Sequence, residues 1–225
     1  MTKIGKKKKR IKKALEPESY FIGSEGIKTE VIYFNGWANN LKKAYSGFEN
    51  RIIVPTLKVQ GIGTSNQRLI NDIEEYLRND PRIFENVWVI FDRDDVPKDY
   101  FDDAIFSAEK RGWHVGWSND SFELWYLLHF EYLNSAISRQ QYKEKLSKYL
   151  RKFGILKYQK NNAAIFSALY PLTKTAIKNA NNLEKEYKSS SKKPHEENPC
   201  TTVQHLVQRF IDLENKIEHL KQTNR

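Results

Sequence analysis

The chain has 225 residues, with 38 Lys and Arg against 28 Asp and Glu, and a net charge of +10. At 39% hydrophobic residues it can bury one large core or two small ones, and it contains no apolar run of about 18 residues that would span a membrane. Its single cysteine, Cys200, excludes an internal disulfide; with only scattered histidines a structural zinc site is also disfavoured.

The chain starts without the apolar stretch of a secretory signal, which with the lone cysteine leads to the expectation of a cytoplasmic protein. Charge is distributed in blocks. Residues 1–13 carry eight basic groups and no acid; residues 14–138 carry a net −8; residues 139–193 carry +11; residues 194–225 carry −1. An acidic front half joined to a strongly basic back half suggests a polyanion partner.

Residues 1–15 read as a basic arm, expected to be disordered because like charges in series oppose compaction. Tyr20-Phe21-Ile22 begins a first strand, and Gly23-Ser24-Glu25-Gly26 is a turn in which Gly26 supplies either a positive φ or a close backbone approach. A helix follows from Glu30 to about Ala44, with Val31, Phe34, Ala38 and Leu41 at helical spacing. Arg51 to Leu57 reads as a second strand with Pro55 near its end, Gly61 to Ser65 as a turn cluster, and Asn66 to Asn79 as a helix stopped by Pro81. Asn86 to Phe91 is the third strand, Asp99 to Arg111 a helix ended by Gly112, and Trp113 to Trp117 the fourth strand. Strands alternating with helices predict an α/β fold, a parallel sheet with helical crossovers.

Phe122 to Phe130 reads as a buried helix capped by a polar residue. Beyond it the chain is helical and basic. Ser138 caps a helix to Phe153 with Gly154 as its stop, helices follow near Asn162–Leu169 and Lys174–Lys188, and Ser189 to Pro194 is a loop. The last helix runs from Val203 to about Leu220.

Two apolar runs end abruptly in acids, at Glu25 and at Asp92-Arg93-Asp94-Asp95. Such runs read as buried parallel strands, whose carboxyl ends are where open α/β sheets place their sites. Residues two apart on an extended segment point the same way, so Asp92 and Asp94 are expected to face one ion. Asp95 joins them only if the chain turns there, and Glu30 lies about one helical turn beyond Glu25. Acids converging in a low-dielectric cleft repel one another. A divalent cation relieves this, and hard oxygen ligands suit Mg²⁺ or Mn²⁺. The expected metal ligands are therefore Glu25, Glu30, Asp92, Asp94 and Asp95. The plainer alternative is that the three aspartates make a turn and cap the next helix.

Glu25 reads either as a base or as a ligand. Lys28, near a helix start, is placed to stabilise developing charge, or is a surface residue. Glu123, an acid in an otherwise apolar helix, either supports the site or is a buried structural acid paired with a basic side chain, the second being preferred. The histidines show no ligand spacing, and His114 is read as packing. For the polyanion, Lys143, Lys148, Arg151 and Lys152 recur along one helix, with Lys160 in the connector after it. Tyr149 and Phe153 are available for packing or for base stacking.

The glutamate-glycine turn after the first strand and the Asp-x-Asp after the third together resemble the Toprim domain of topoisomerases, primases and OLD-type nucleases, over roughly residues 18–130. More narrowly, the chain resembles the RloB family of bacterial phage-defence proteins. That resemblance rests on the basic arm, Ser24-Glu25-Gly26-Ile27-Lys28-Thr29-Glu30, Phe91-Asp92-Arg93-Asp94, Ser118-Asn119-Asp120-Ser121-Phe122-Glu123-Leu124-Trp125 and Asn198-Pro199-Cys200-Thr201-Thr202-Val203. It implies a Toprim-like, Rossmann-like catalytic domain over residues 16–133 and a basic helical region over 134–225 packed on its sheet. It further implies metal-dependent phosphodiester chemistry in abortive infection, alongside an ATPase partner. By position Glu25, Asp92 and Asp94 match the Toprim acids, and Glu30 resembles the second glutamate of OLD-type nucleases. The resulting expectation is a Mg²⁺- or Mn²⁺-dependent nuclease acting on RNA (tRNA included) or DNA. The competing one is a non-cleaving nucleic-acid-binding or sensor subunit. The residues leave substrate, trigger and homo-oligomeric state open.

Overall fold

A computed structural model describes residues 13–94 and 97–223. The strands are β1 (Ala14–Ser24), β2 (Thr56–Gly61), β3 (Arg82–Asp92), β4 (His114–Asn119) and β5 (Cys200–Thr201). They form one sheet in the order β2-β1-β3-β4-β5, with the first four parallel and β5 antiparallel to β4. Between them run α1 (Thr29–Tyr45), α2 (Asn66–Asn79) and α3 (Lys98–Glu109). After β4 come α4 (Glu123–Leu128), α5 (Arg139–Leu150), α6 (Ala164–Leu169), α7 (Thr173–Tyr187) and α8 (Val203–Thr223). This is the α/β fold expected, a Rossmann-like, mostly parallel sheet with helices on both faces.

Strand alternation sorts the core. Tyr20 and Ile22 of β1 and Trp88 and Ile90 of β3 join one apolar cluster, whereas Phe21, Val89 and Phe91 join another, as a period of two requires. The first cluster is closed by α1 and by α4 through α8, the second by α2 and α3. The first cluster runs without a break from Tyr20 to Ile217, so the basic helices share a core with the sheet.

Several boundaries differ from expectation. β1 begins at Ala14, inside the segment read as an arm; residues 1–12 lie outside the described residues. The second strand is Thr56–Gly61 rather than Arg51–Leu57. Pro55 has no N–H to give a ladder, so pairing with β1 starts just after it, at Ser19↔Thr56, while Ile52 and Val54 pack against the core from an irregular segment. β5 was missed because two residues carry no periodicity; it pairs Thr201 with Ser118 and Cys200 with Asn119. The predicted helix start at Ser138 is present, with a capping box to Gln141, and Gly154 takes φ +78° as the stop.

Candidate active site

The chain passes from β2 to β3 across β1, so the strand order reverses between β1 and β3, the position where open α/β sheets bind ligands. The register brings Ser24 level with Ile90, and Asp92 level with Ser118. Glu25 extends the ladder by donating its N–H to the Ile90 carbonyl at 2.9 Å. Glu25 and Asp92 therefore sit at neighbouring strand ends, as their sequence positions predict.

Glu30, in the first turn of α1, is 6% exposed, and Glu123, at the start of α4, is 4% exposed. Gly26 makes room for the first. A Cβ on Gly26 would lie 2.0 Å from Glu30 Oε2, so Gly26 serves through close approach and not through a positive φ. Asp92 Oδ2 accepts the Phe122 N–H at 3.0 Å, which supplies the start of α4 with the acceptor that was expected from a local polar cap. Asp92 Oδ1 and Glu25 Oε2 are shielded from solvent and have no hydrogen-bond partner.

The electrostatics follow from this crowding. Burial, and then the Glu30 carboxylate, push the Glu25 carboxyl up to about 7, partly opposed by a hydrogen bond from the Asp92 backbone. Burial is also the main cause that raises Glu30, with Glu123 adding to it and Lys160 opposing it. Asp92 is raised well above the ordinary carboxylate range by burial, then by Glu30, Glu123 and Glu25. Glu25, Glu30, Asp92 and Glu123 thus form one mutually repelling set, assembled from β1, α1, β3 and α4.

Asp94 does not join it. Its backbone takes φ +45°, its N–H donates to the Asp120 carbonyl at 3.1 Å, and its carboxylate ion-pairs with the Arg139 guanidinium at the start of α5. The expectation that Asp92 and Asp94 face one ion assumed an extended chain, and β3 ends at Asp92. Asp95 lies outside the described residues. Lys28 is exposed at the N-terminus of α1 and makes no side-chain cap there.

Glu123 belongs with the acids, and it has the basic partner that the structural alternative required. Its Oε1 accepts the Tyr158 hydroxyl at 2.9 Å and lies 3.5 Å from Lys160 Nζ. Being the one acid in an apolar helix was its sequence signal. Tyr158 and Arg139 had no comparable signal.

Of the expected phosphate-binding residues, Lys143, Arg151 and Lys160 line one groove of about 930 Å³, together with Lys157, Tyr158 and Gln159. Lys148 and Lys152 are exposed but lie outside it, roughly 100° further round the helix from Ser147 and Arg151. Tyr149 is committed to packing. It stacks on Phe130 with centroids 4.9 Å apart and donates its hydroxyl to Glu131.

The donor chemistry suits a hard divalent cation, because two shielded carboxylate oxygens lack any other partner. Among the described residues no group of three or more His, Cys, Asp or Glu side chains is arranged to hold a metal ion. An ion at this place would take one or two carboxylates and complete its shell with water or phosphate, as Mg²⁺ commonly does.

The sequence model of the RloB-like protein family matches residues 20–210, most of the chain and all four acids. No curated protein and no solved structure matches it.

Proposed function

The chain belongs to the RloB-like protein family, and from that premise we propose that it is a Mg²⁺- or Mn²⁺-dependent nuclease, working in anti-phage defence beside an ATPase partner. The observation that carries the proposal is the pair of shielded, partnerless oxygens, Glu25 Oε2 and Asp92 Oδ1, at the sheet's switch point. Carboxylates in that setting are driven to hold protons unless a cation is present.

Asp92 and Glu30 are the residues to hold the ion, with Glu25 beside them. A divalent cation bound there would polarise the scissile phosphate and lower the pKa of a bound water. Glu25, beside the ion at the neighbouring strand end, is the carboxylate placed to take the proton of an attacking water. Tyr158 and Lys160 orient Glu123 through its Oε1, and the Lys160 ammonium, itself on the groove wall, is close enough to the acids to balance phosphate charge.

Incubating the purified protein with labelled tRNA, single-stranded RNA and duplex DNA, each with Mg²⁺, Mn²⁺ or chelator, tests this. Metal-dependent cleavage lost in Glu25→Ala and Asp92→Ala is the expected result; cleavage that survives both changes removes the site. A second reading, a nucleic-acid-binding subunit that does not cut, is favoured by Asp94 being engaged by Arg139 and by the lack of a three-acid ligand set among the described residues. Binding without cleavage under every metal condition would select it.

A further inference from the structure

The basic groove meets the acid cluster through two shared side chains. Tyr158 and Lys160 line the groove, and the same two side chains contact Glu123. Its opposite wall is one face of α5 and the turn that continues it, where Gln140, Lys143, Ser147 and Arg151 recur at helical spacing. Four cations line it against a single acid, Glu144, which is engaged by Gln140. Neither Lys143 nor Lys157 has an ion-pair partner among the described residues. Leu156, 79% exposed, adds an apolar surface to the same wall.

We propose that this groove is the track for one unpaired strand of nucleic acid, which delivers a phosphodiester past Lys160 to Glu25, Glu30 and Asp92. The volume limits the guest. About 930 Å³ is at the upper end of the roughly 300–1,000 Å³ that enclose a single small ligand. That is room for a few nucleotides in single file. The lining limits it as well. Lysines and an arginine meet a backbone, while Gln159 and Leu156 offer hydrogen bonding and contact to bases splayed from a stack, the mixture by which single strands are held. The nuclease reading is needed for what happens at the acids; the binding stands apart from it.

The test is fluorescence anisotropy on the full-length protein in chelator. The probes are strands of roughly 12 nucleotides, as single-stranded RNA, single-stranded DNA and the matching duplexes, with ATP as a mononucleotide competitor. The single strand is expected to bind at least about tenfold tighter than its duplex, and ATP to displace it poorly. Lys143→Glu with Lys157→Glu is expected to weaken it at least about tenfold and to cut the slope of log K against log salt by about 0.7 per lost contact. Lys178→Glu with Lys185→Glu, the same charge change on exposed positions of α7, is the control and should do much less. Melting curves of both doubles confirm that they fold. A duplex bound as tightly as the strand, an ATP that displaces it fully, or equal losses in both doubles overturns the assignment. Groove-dependent strand binding with no cleavage under any metal sustains it while removing the nuclease reading. Cleavage that persists with binding unchanged in Lys143→Glu/Lys157→Glu does the reverse.

Discussion

The Phe122 N–H donates to Asp92 Oδ2 at 3.0 Å, so one oxygen of this carboxylate starts a helix while the other, Oδ1, stays shielded without a partner. Asp92→Asn keeps an acceptor for Phe122 and removes the charge that Glu25, Glu30 and Glu123 repel. In chelator the variant should melt no lower than the wild type, and with Mg²⁺ or Mn²⁺ it should cleave about a hundredfold more slowly than the wild type, or below that. Asp92→Ala should be less stable than Asp92→Asn by about 1–3 kcal/mol, because it strands the buried N–H. An Asp92→Asn protein that cuts at the wild-type rate would take Asp92 out of the chemistry.

Metal binding should appear as thermal stabilisation. An ion that binds only the native site contributes RT ln(1 + [L]/Kd), about 2.7 kcal/mol at a hundredfold excess over Kd. Asp92→Asn and Glu30→Gln should blunt the Mn²⁺ shift, whereas Asp94→Asn should retain most of it, since Asp94 is directed to Arg139. Thermal shift assays across a Mn²⁺ titration read this directly. An Asp94→Asn variant blunted as strongly as Asp92→Asn would show that Asp94 leaves Arg139 to reach the ion.

Gly26→Ala should separate site geometry from stability. The three atoms nearest the new Cβ are all at the carboxylate end of the Glu30 side chain, which can swing away. The variant is therefore expected to lose no more than about 1 kcal/mol of stability and yet to cleave poorly, because Glu30 is displaced. Combining it with Glu30→Gln should add little to either single loss. Denaturant melts and initial rates on the two singles and the double decide it; fully multiplicative rate losses would mean that Gly26 acts elsewhere.

His129 should make the fold acid-labile. It is 1% exposed, donates from Nδ1 to the Trp125 carbonyl at 2.9 Å, and burial lowers its pKa from 6.5 to about 4. The unfolded chain therefore binds a proton that the native state refuses. Its contribution is whole above pH 6.5 and is lost as pH falls towards about 4, a change on the order of 3 kcal/mol. Urea melts of wild type and His129→Gln over that window should show the wild type losing more, by about this amount. Parallel curves would show that His129 is protonated in place.

The strand-to-acid transitions at Glu25 and Asp92 were legible in the sequence because a buried strand must be apolar and its carboxyl end is the first place where a polar side chain is tolerated. Periodicity likewise set α1, α2, α3 and α8 within a few residues, and local rules placed the Ser138 cap and the Gly154 stop. What only the tertiary structure decided is which of the acids share a site. Asp94 stands two residues from Asp92 and is turned away to Arg139, whereas Glu123 and Lys160 arrive from 31 and 68 residues further along the chain. The division of the basic helix, with Lys143 and Arg151 in the groove and Lys148 and Lys152 outside it, was also decided there. Spacing along a chain specifies neighbours only while the backbone keeps one conformation. Past the end of β3 the chain turns, and the partners of each charge are then chosen by how α4, α5 and the 157–160 connector pack over the sheet.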